Sequence, residues 1–402
     1  MKKNLDVKCT TQPPAAKSSS PSSPKQASPH SPIPNLSKEP SPKQIPADYI
    51  LLPDGVNYGM LKLVGSGTFG CVLQPPVSEA SQVKKVIVPY VQPANDDISK
   101  IYKDGEKDFI TELAILKNID TIDPDAIFTT KFKGALQISG KAFENNESVQ
   151  KCLRKFKNLN NKTFYQIMLE NGGTTVDTYE TPITYVKFLQ LFEKFLQGML
   201  VFQDKQKVHL DIKPPNVLIN QDKISLIDFS ITSDVSEIYK YENYQLLHYT
   251  YPYYPPEFYV AAIVLLYTHS HASDANALQY ILKNVYKHME NDKYFEKDYM
   301  REKAERYKKG VKKFLKTVKE LSGTKKSVTD IFDTEMALKA DVFPLYYIIT
   351  ALSKNIVYSN QKQKKFIETL CKKCSEPNPY DRISMRELYN EVLAEYKTYV
   401  RL

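Results

Sequence analysis

One loop and its flanks constrain this chain more than any other feature. Residues 185–203 place Phe188, Leu191, Phe192, Phe195, Leu196 and Met199 at the period of a strongly apolar helix. Val217–Ile219 and Ile224–Ile227 read as short buried strands. Between them, His209-Leu210-Asp211-Ile212-Lys213-Pro214-Pro215-Asn216 sets an Asp, a Lys two residues on and an Asn five residues on among apolar residues. A second Asp follows in Leu226-Ile227-Asp228-Phe229-Ser230. Chemistry on a nucleoside triphosphate needs a carboxylate near the nucleophile and oxygen ligands for hard cations, and this spacing supplies both. A polar surface turn with a Pro-Pro step is the competing reading.

The stretch before that loop is strand-rich. Leu61–Val64 and Cys71–Leu73 flank a glycine-rich turn and read as a hairpin. The turn, Gly65-Ser66-Gly67-Thr68-Phe69-Gly70-Cys71-Val72, is a G-x-G-x-x-G-x-V in which glycines let backbone amides approach phosphate oxygens. In a dinucleotide-binding fold the pattern would open a helix; here it continues as strand, which favours a lid between strands. A long polar connection leads to a strand at Ile98–Tyr102. Residues 107–119 then form a helix with Phe109, Leu113 and Leu116 on its buried face. Glu112 shares that face and needs a cationic partner. Lys100 is the best candidate, with Lys103 and Lys85 as alternatives, and a plain surface Glu is the competing reading. Phe164–Glu170 reads as a buried strand ended by Asn171-Gly172-Gly173, and everything from about 258 onward reads as helix.

The ends and the charges divide the chain further. Residues 1–46 hold ten of the 25 prolines, with Ser-Pro steps at Ser20, Ser23, Ser28, Ser31 and Ser41, and bury too little apolar surface to fold. Of the net charge of +9, the excess sits in that tail and in residues 301–326, which carry eleven Lys or Arg against three Glu. That distribution, in a tail and one helical segment rather than over a folded surface, disfavours nucleic-acid binding. A solvated charged face or a dock for an acidic partner remains for 301–326. Five cysteines without dense spacing argue against a disulfide framework and for a reducing compartment, and Cys371 and Cys374 read as two thiols one helical turn apart. No run reaches the ~18 apolar residues of a membrane span. The expected setting is cytoplasmic.

From about Leu61 to Tyr399 the chain resembles a eukaryotic-type protein kinase. The resemblance rests on the Gly65–Val72 lid, the His209–Asn216 loop, Asp228-Phe229-Ser230, Pro255-Pro256-Glu257, Asp341, and Arg382 in Asn378-Pro379-Tyr380-Asp381-Arg382. Gly70–Pro76, Ser99–Tyr102, Asn118–Pro124 and Met168–Gly173 further resemble the serine/threonine kinases of large cytoplasmic DNA viruses, which would place the chain in host cytoplasm or virion. The implied fold is α+β and bilobal. A small β-rich lobe spans about 50–170 and a larger helical lobe about 171–402, with a disordered tail over 1–46 and an insertion around 265–335.

By that resemblance, Asp211 orients the substrate hydroxyl and Lys213 neutralises the γ-phosphate. Asn216 and Asp228 hold Mg²⁺ or Mn²⁺. Gly65, Ser66, Gly67, Thr68, Phe69, Gly70 and Val72 cover ATP, and Lys100, held by Glu112, positions its phosphates. Leu169 backs the adenine, and the backbone from Glu170 to Gly172 supplies its hydrogen bonds. Lys213 follows the serine/threonine pattern, so Ser/Thr hydroxyls of proteins are the implied acceptors. Three departures stand out. Leu210 replaces the Arg that pairs with a phosphorylated activation loop, so such phosphorylation is not expected to be obligatory. Ser230 replaces a Gly, and 84 positions separate Glu257 from Asp341. The rivals are a kinase-like scaffold without transfer and a small-molecule phosphotransferase; Pro255-Pro256-Glu257 with Arg382 argues against the latter.

Overall fold

The computed structural model describes residues 61–66, 70–78, 81–89, 94, 96–102, 106–153, 162–240, 253–270, 301–322 and 332–400. Residues 1–46, Gly67–Phe69 and Lys103 lie outside the described residues, as do 271–300 and 323–331 of the stretch expected to be an insertion.

The first part is one antiparallel sheet carrying a helix. Its strands are β1 (Lys62–Ser66), β2 (Gly70–Gln74), β3 (Val83–Val88) and β4 (Ile98–Tyr102), then, after α1 (Glu106–Ile122), β5 (Phe132–Ser139). A short helix α2 (Glu147–Cys152) precedes β6 (Thr163–Leu169). The strand order is β1-β2-β4-β6-β5-β3. Alternation along the strands sorts the side chains onto two faces. Cys71, Leu73, Ile101, Leu136, Ile138, Phe164 and Met168 pack on one face with Phe143, Val149 and Leu153. Tyr102, Ala135 and Ile167 meet Phe109 and Leu113 of α1 on the other.

Three features differ from the sequence expectation. Val83–Val88, read as part of a polar connection, is an edge strand on β5. Its Lys84 and Lys85 are exposed, a common guard of an open edge. Phe132–Ser139, which no motif marked, is a central strand between β6 and β3. Cys71 on β2 and Cys152 on α2 form a disulfide across 81 residues of sequence, although the cysteine count had pointed to reduced thiols. Cys371 and Cys374 take no part in a disulfide.

The second part begins with β7 (Thr174–Thr175) and β8 (Ile183–Thr184), which leads into α3 (Tyr185–Asp204). The Thr184 side chain caps α3 by accepting from the Lys187 amide at 3.2 Å. Phe188, Phe192 and Phe195 stack in series along it. They anchor a core shared with the helices near the C-terminus. Next come β9 (Lys207–Val208), β10 (Val217–Ile219), β11 (Ile224–Leu226) and β12 (Ser233–Asp234). Helices α4 (Pro256–Ser270), α5 (Arg301–Ser322), α6 (Thr334–Leu338) and α7 (Leu345–Ser353) follow. The two-residue strand β13 (Ile356–Val357), paired parallel with β8, interrupts the helical run. Helices α8 (Gln361–Cys374) and α9 (Met385–Lys397) complete the described chain, α9 starting in a Ser384–Glu387 capping box.

Helix α5 is amphipathic. Val311, Phe314, Leu315 and Val318 are buried in one cluster with Phe258, Val264 and Leu265 of α4. Lys309, Lys312, Lys313, Lys316 and Lys319 are exposed. Gly310 permits the approach: a Cβ there would fall 2.6 Å from Pro256 Cγ and 3.1 Å from Pro377 Cβ.

Candidate active site

The loop between β9 and β10 is held from behind before it presents anything in front. The buried Asp341 carboxylate accepts from the His209 amide at 2.7 Å and the Leu210 amide at 3.0 Å. Burial pushes the Asp341 carboxyl up to about 6, and those two amides pull against it. His209 is fully buried. Its Nδ1 accepts from the Asp211 amide at 3.2 Å, which leaves Nε2 as the donor to the Ile227 carbonyl, also at 3.2 Å. Burial lowers the His209 pKa to about 4, so the ring is neutral. The ring meets Phe229 edge-on at 4.8 Å, coupling this loop to the Asp228 segment.

In front, Asp211 is the centre of the contacts. Its Oδ2 accepts from Lys213 Nζ at 2.8 Å and from Asn216 Nδ2 at 2.8 Å, and Asn216 Nδ2 also reaches the Asp211 carbonyl at 3.0 Å. Burial pushes the Asp211 carboxyl up; Lys213 and Asn216 oppose the shift, while the nearby charge of Asp228 adds to it. Asn216 is tied to the next strand through its carbonyl, which accepts from the Ile227 amide at 3.0 Å. Asp228 itself sits at φ 64, so the backbone turns sharply at that carboxylate.

Across the sheet, Val72, Lys100 and Ile167 pair in one row of β2, β4 and β6. Lys100 reaches Glu112 of α1 at 2.5 Å, and its ammonium lies 5.4 Å from the centroid of the Tyr102 ring. Lys85 is on the edge strand, exposed and away from this row. Glu112 and Asp228 line one cavity with Leu116, Thr129, Leu169 and Phe229, so α1 and the Asp228 segment share a space. Gly65 and Ser66 end β1 and Gly70 starts β2. Gly70 has a packing reason of its own: a Cβ there would lie 2.3 Å from the Ile101 carbonyl oxygen.

After β6 the chain turns through Glu170-Asn171-Gly172-Gly173. The Glu170 amide already donates to the Lys131 carbonyl at 2.9 Å. Gly172 is wedged, a Cβ there falling 2.6 Å from Leu218 Cδ1 and 2.8 Å from Thr130 Cγ2. Sequence reasoning missed two contributors to this region. Tyr102 lies under Lys100, and Lys223 donates to the Glu170 side chain at 2.6 Å. Tyr102 was legible only as the last residue of the expected strand Ile98–Tyr102, and no sequence signal marks Lys223.

Glu257, in the first turn of α4, pairs with Arg382 from the segment before α9. Both side chains are fully buried, and Arg382 grips the carboxylate with two bonds of 2.6 and 2.8 Å. Leu210, at φ 66, is buried in a cluster with Val208, Val235, Ile238, Tyr254 and Phe258. The position that would carry a phosphate-pairing Arg is thus filled by core packing.

The family model described as the protein kinase domain matches residues 58–393. The chain belongs to this family, whose members in general transfer phosphoryl groups to proteins using ATP and Mg²⁺. Comparison with curated proteins found no match. Among the described residues, no helix is long and apolar enough to cross a membrane.

Proposed function

We propose that the chain is an active ATP-dependent serine/threonine kinase. The observation that carries this reading is the convergence on Asp211. Lys213 and Asn216 both bond its carboxylate, while Asp228 lies near enough to act on it electrostatically. Asp211 accepts the hydrogen bond of the acceptor hydroxyl and aims it, its carboxylate kept in place by Asn216. Lys213 neutralises charge on the transferred phosphoryl group, and its position two residues after Asp211 favours Ser/Thr acceptors. Lys100, steadied by Glu112, positions the α- and β-phosphates under the Gly65–Val72 lid. The Glu170 carbonyl and the Gly172 amide meet the adenine.

Two oxygen donors, the Asn216 amide carbonyl and the Asp228 carboxylate, suit Mg²⁺ or Mn²⁺, which take one or two protein ligands and complete their shell with phosphate oxygens and water. The ion supplies neutralisation of phosphate charge when bound. Leu210 in an apolar cluster supports activity without obligatory phosphorylation of the activation segment. The resemblance to viral kinases, and a host-cytoplasm or virion setting with it, is part of the same proposal. The exposed lysines of α5 fit an acidic protein partner. Lys309→Glu with Lys316→Glu would then weaken both the binding of an acidic substrate and its salt dependence.

The deciding experiment follows radiolabel from ATP into a generic basic protein, comparing the wild type with Asp228→Ala. Transfer by the wild type alone is expected, with label on Ser or Thr. No transfer with either Mg²⁺ or Mn²⁺ sinks the proposal in favour of a kinase-like scaffold. Label on Tyr overturns the acceptor assignment, and equal labelling by the variant shows a contaminating activity.

A further inference from the structure

We infer that Lys223 is a positioning residue for the nucleotide base, acting through Glu170; the inference rests on the ATP-binding reading above. Lys223 closes the turn between β10 and β11, far in sequence from the segment it holds. Asn220 Oδ1 presets that turn by accepting from the Asp222 amide at 2.8 Å and the Lys223 amide at 2.9 Å. The ammonium group has three protons and meets three acceptors: Glu170 Oε2 at 2.6 Å, the Thr129 carbonyl at 3.2 Å and the Ala126 carbonyl at 3.3 Å.

Each of those acceptors belongs to a piece of the site. Glu170 is the first residue after β6, and Lys131 engages it twice more. The Glu170 amide donates to the Lys131 carbonyl, and Glu170 Oε2 accepts from the Lys131 amide at 3.3 Å. Ala126 and Thr129 lie in the connection that follows α1, the helix carrying Glu112. That connection is joined to β11 through the Leu226 amide, which donates to the Phe128 carbonyl at 2.7 Å, and β11 runs on to Asp228. The same hairpin touches the connecting segment again at Gly173, where a Cβ would fall 2.3 Å from the Ile219 carbonyl oxygen. One ammonium therefore ties together the adenine-facing segment, the loop behind Glu112 and the strand leading to Asp228.

The competing account is an ordinary surface ion pair, which contributes little. Glu170 is 39% exposed, as such an account requires, but Lys223 is only 18% exposed and also satisfies two main-chain carbonyls. Burial pushes the Glu170 carboxyl up, yet the contact with Lys223, the Lys131 amide and the charge of Lys133 together hold the carboxyl below its ordinary value. The pair is thus a charged one at neutral pH, and it sets where the Glu170 carbonyl points.

The test measures KM and kcat for ATP, and Kd for ATP·Mg, in the wild type, Lys223→Met, Lys223→Arg, Glu170→Gln and the Met/Gln double variant. Lys223→Met is expected to raise KM and Kd roughly five- to tenfold while kcat changes less than about twofold. Glu170→Gln should move the constants the same way, and the double variant should be no worse than the poorer single one. Lys223→Arg keeps the charge without the three-way geometry and should recover part of the loss. A wild-type KM and Kd in Lys223→Met, with only a lower melting temperature, overturns the inference, as do additive effects in the double variant. If Lys223→Met does not fold, Glu170→Gln alone decides by the same constants. A wild type that binds no ATP fails the kinase proposal itself, whereas equal binding by all variants fails this inference alone.

Discussion

Two acid–base pairs in this molecule share the same chemistry and differ in setting. Arg382 and Glu257 have no exposed side-chain surface and are joined by two parallel bonds, with Arg382 also donating to the carbonyls of Glu376 and Lys339. Lys100 and Glu112 make one contact and retain 21% and 18% of their side-chain exposure. A pair sealed on all sides can do nothing but fix the elements it joins, here the start of α4 and the segment before α9. A single-contact pair beside a cavity is available to be shared with a ligand. Burial, more than charge, separates scaffold from chemistry here.

That contrast breaks first at Arg382. Arg382→Met leaves Glu257 buried without its partner and is expected to cost about 3–5 kcal/mol, read from the denaturant midpoint. Loss below about 1 kcal/mol would show that the sealed pair is not structural. Lys100→Met should do the reverse, lowering kcat/KM by about a hundredfold or more while stability changes by less than ~1 kcal/mol. Lys103→Met is the companion variant, and loss of activity there alone would transfer the role to Lys103.

Acid should find the sealed side of the comparison next. His209 titrates near 4 in the folded chain against an ordinary 6.5, so the folded form binds fewer protons between those values. Stability should therefore fall as pH drops from 6.5 toward 4, at most about 1.4 kcal/mol for each pH unit. Asp341, pushed up from 3.8 to about 6, works the opposite way across its own window, adding stability as pH falls. Midpoints at pH 7, 6 and 5 for the wild type and His209→Phe separate the two, because only the wild type carries the His209 loss. The smallest effect belongs to Lys313, which pairs with Glu376 but is 48% exposed. Lys313→Ala should change stability by less than about 0.5 kcal/mol, measured by thermal melting.

The parts of the site that were legible in the sequence are those encoded by short spacing. Asp211, Lys213 and Asn216 lie within six residues, and the Lys100–Glu112 partnership followed from one strand face and one helix face. The Phe188–Met199 periodicity likewise predicted a core helix. What stayed hidden depends on long-range pairing. Val83–Val88 carries two adjacent exposed lysines, Lys84 and Lys85, so its alternation was masked by its edge position. Phe132–Ser139 is recognisable as a strand only beside its partners. Cys71 and Cys152 illustrate that connectivity does not follow from spacing. Lys223 looks like any turn lysine until the fold sets three carbonyl or carboxylate oxygens around it.

The lone hydrogen at Gly310 has a consequence for anyone editing this protein. Because it lets α5 lie against Pro256 and Pro377, this helix is built into the cluster around Phe258 rather than hung on its outside. Trimming α5 as surplus would strip the cover from Phe258, Val264 and Leu265 and leave a raw apolar face. The helix can be repainted on its lysine side, residue by residue, but it cannot be cut away without opening the cluster it completes.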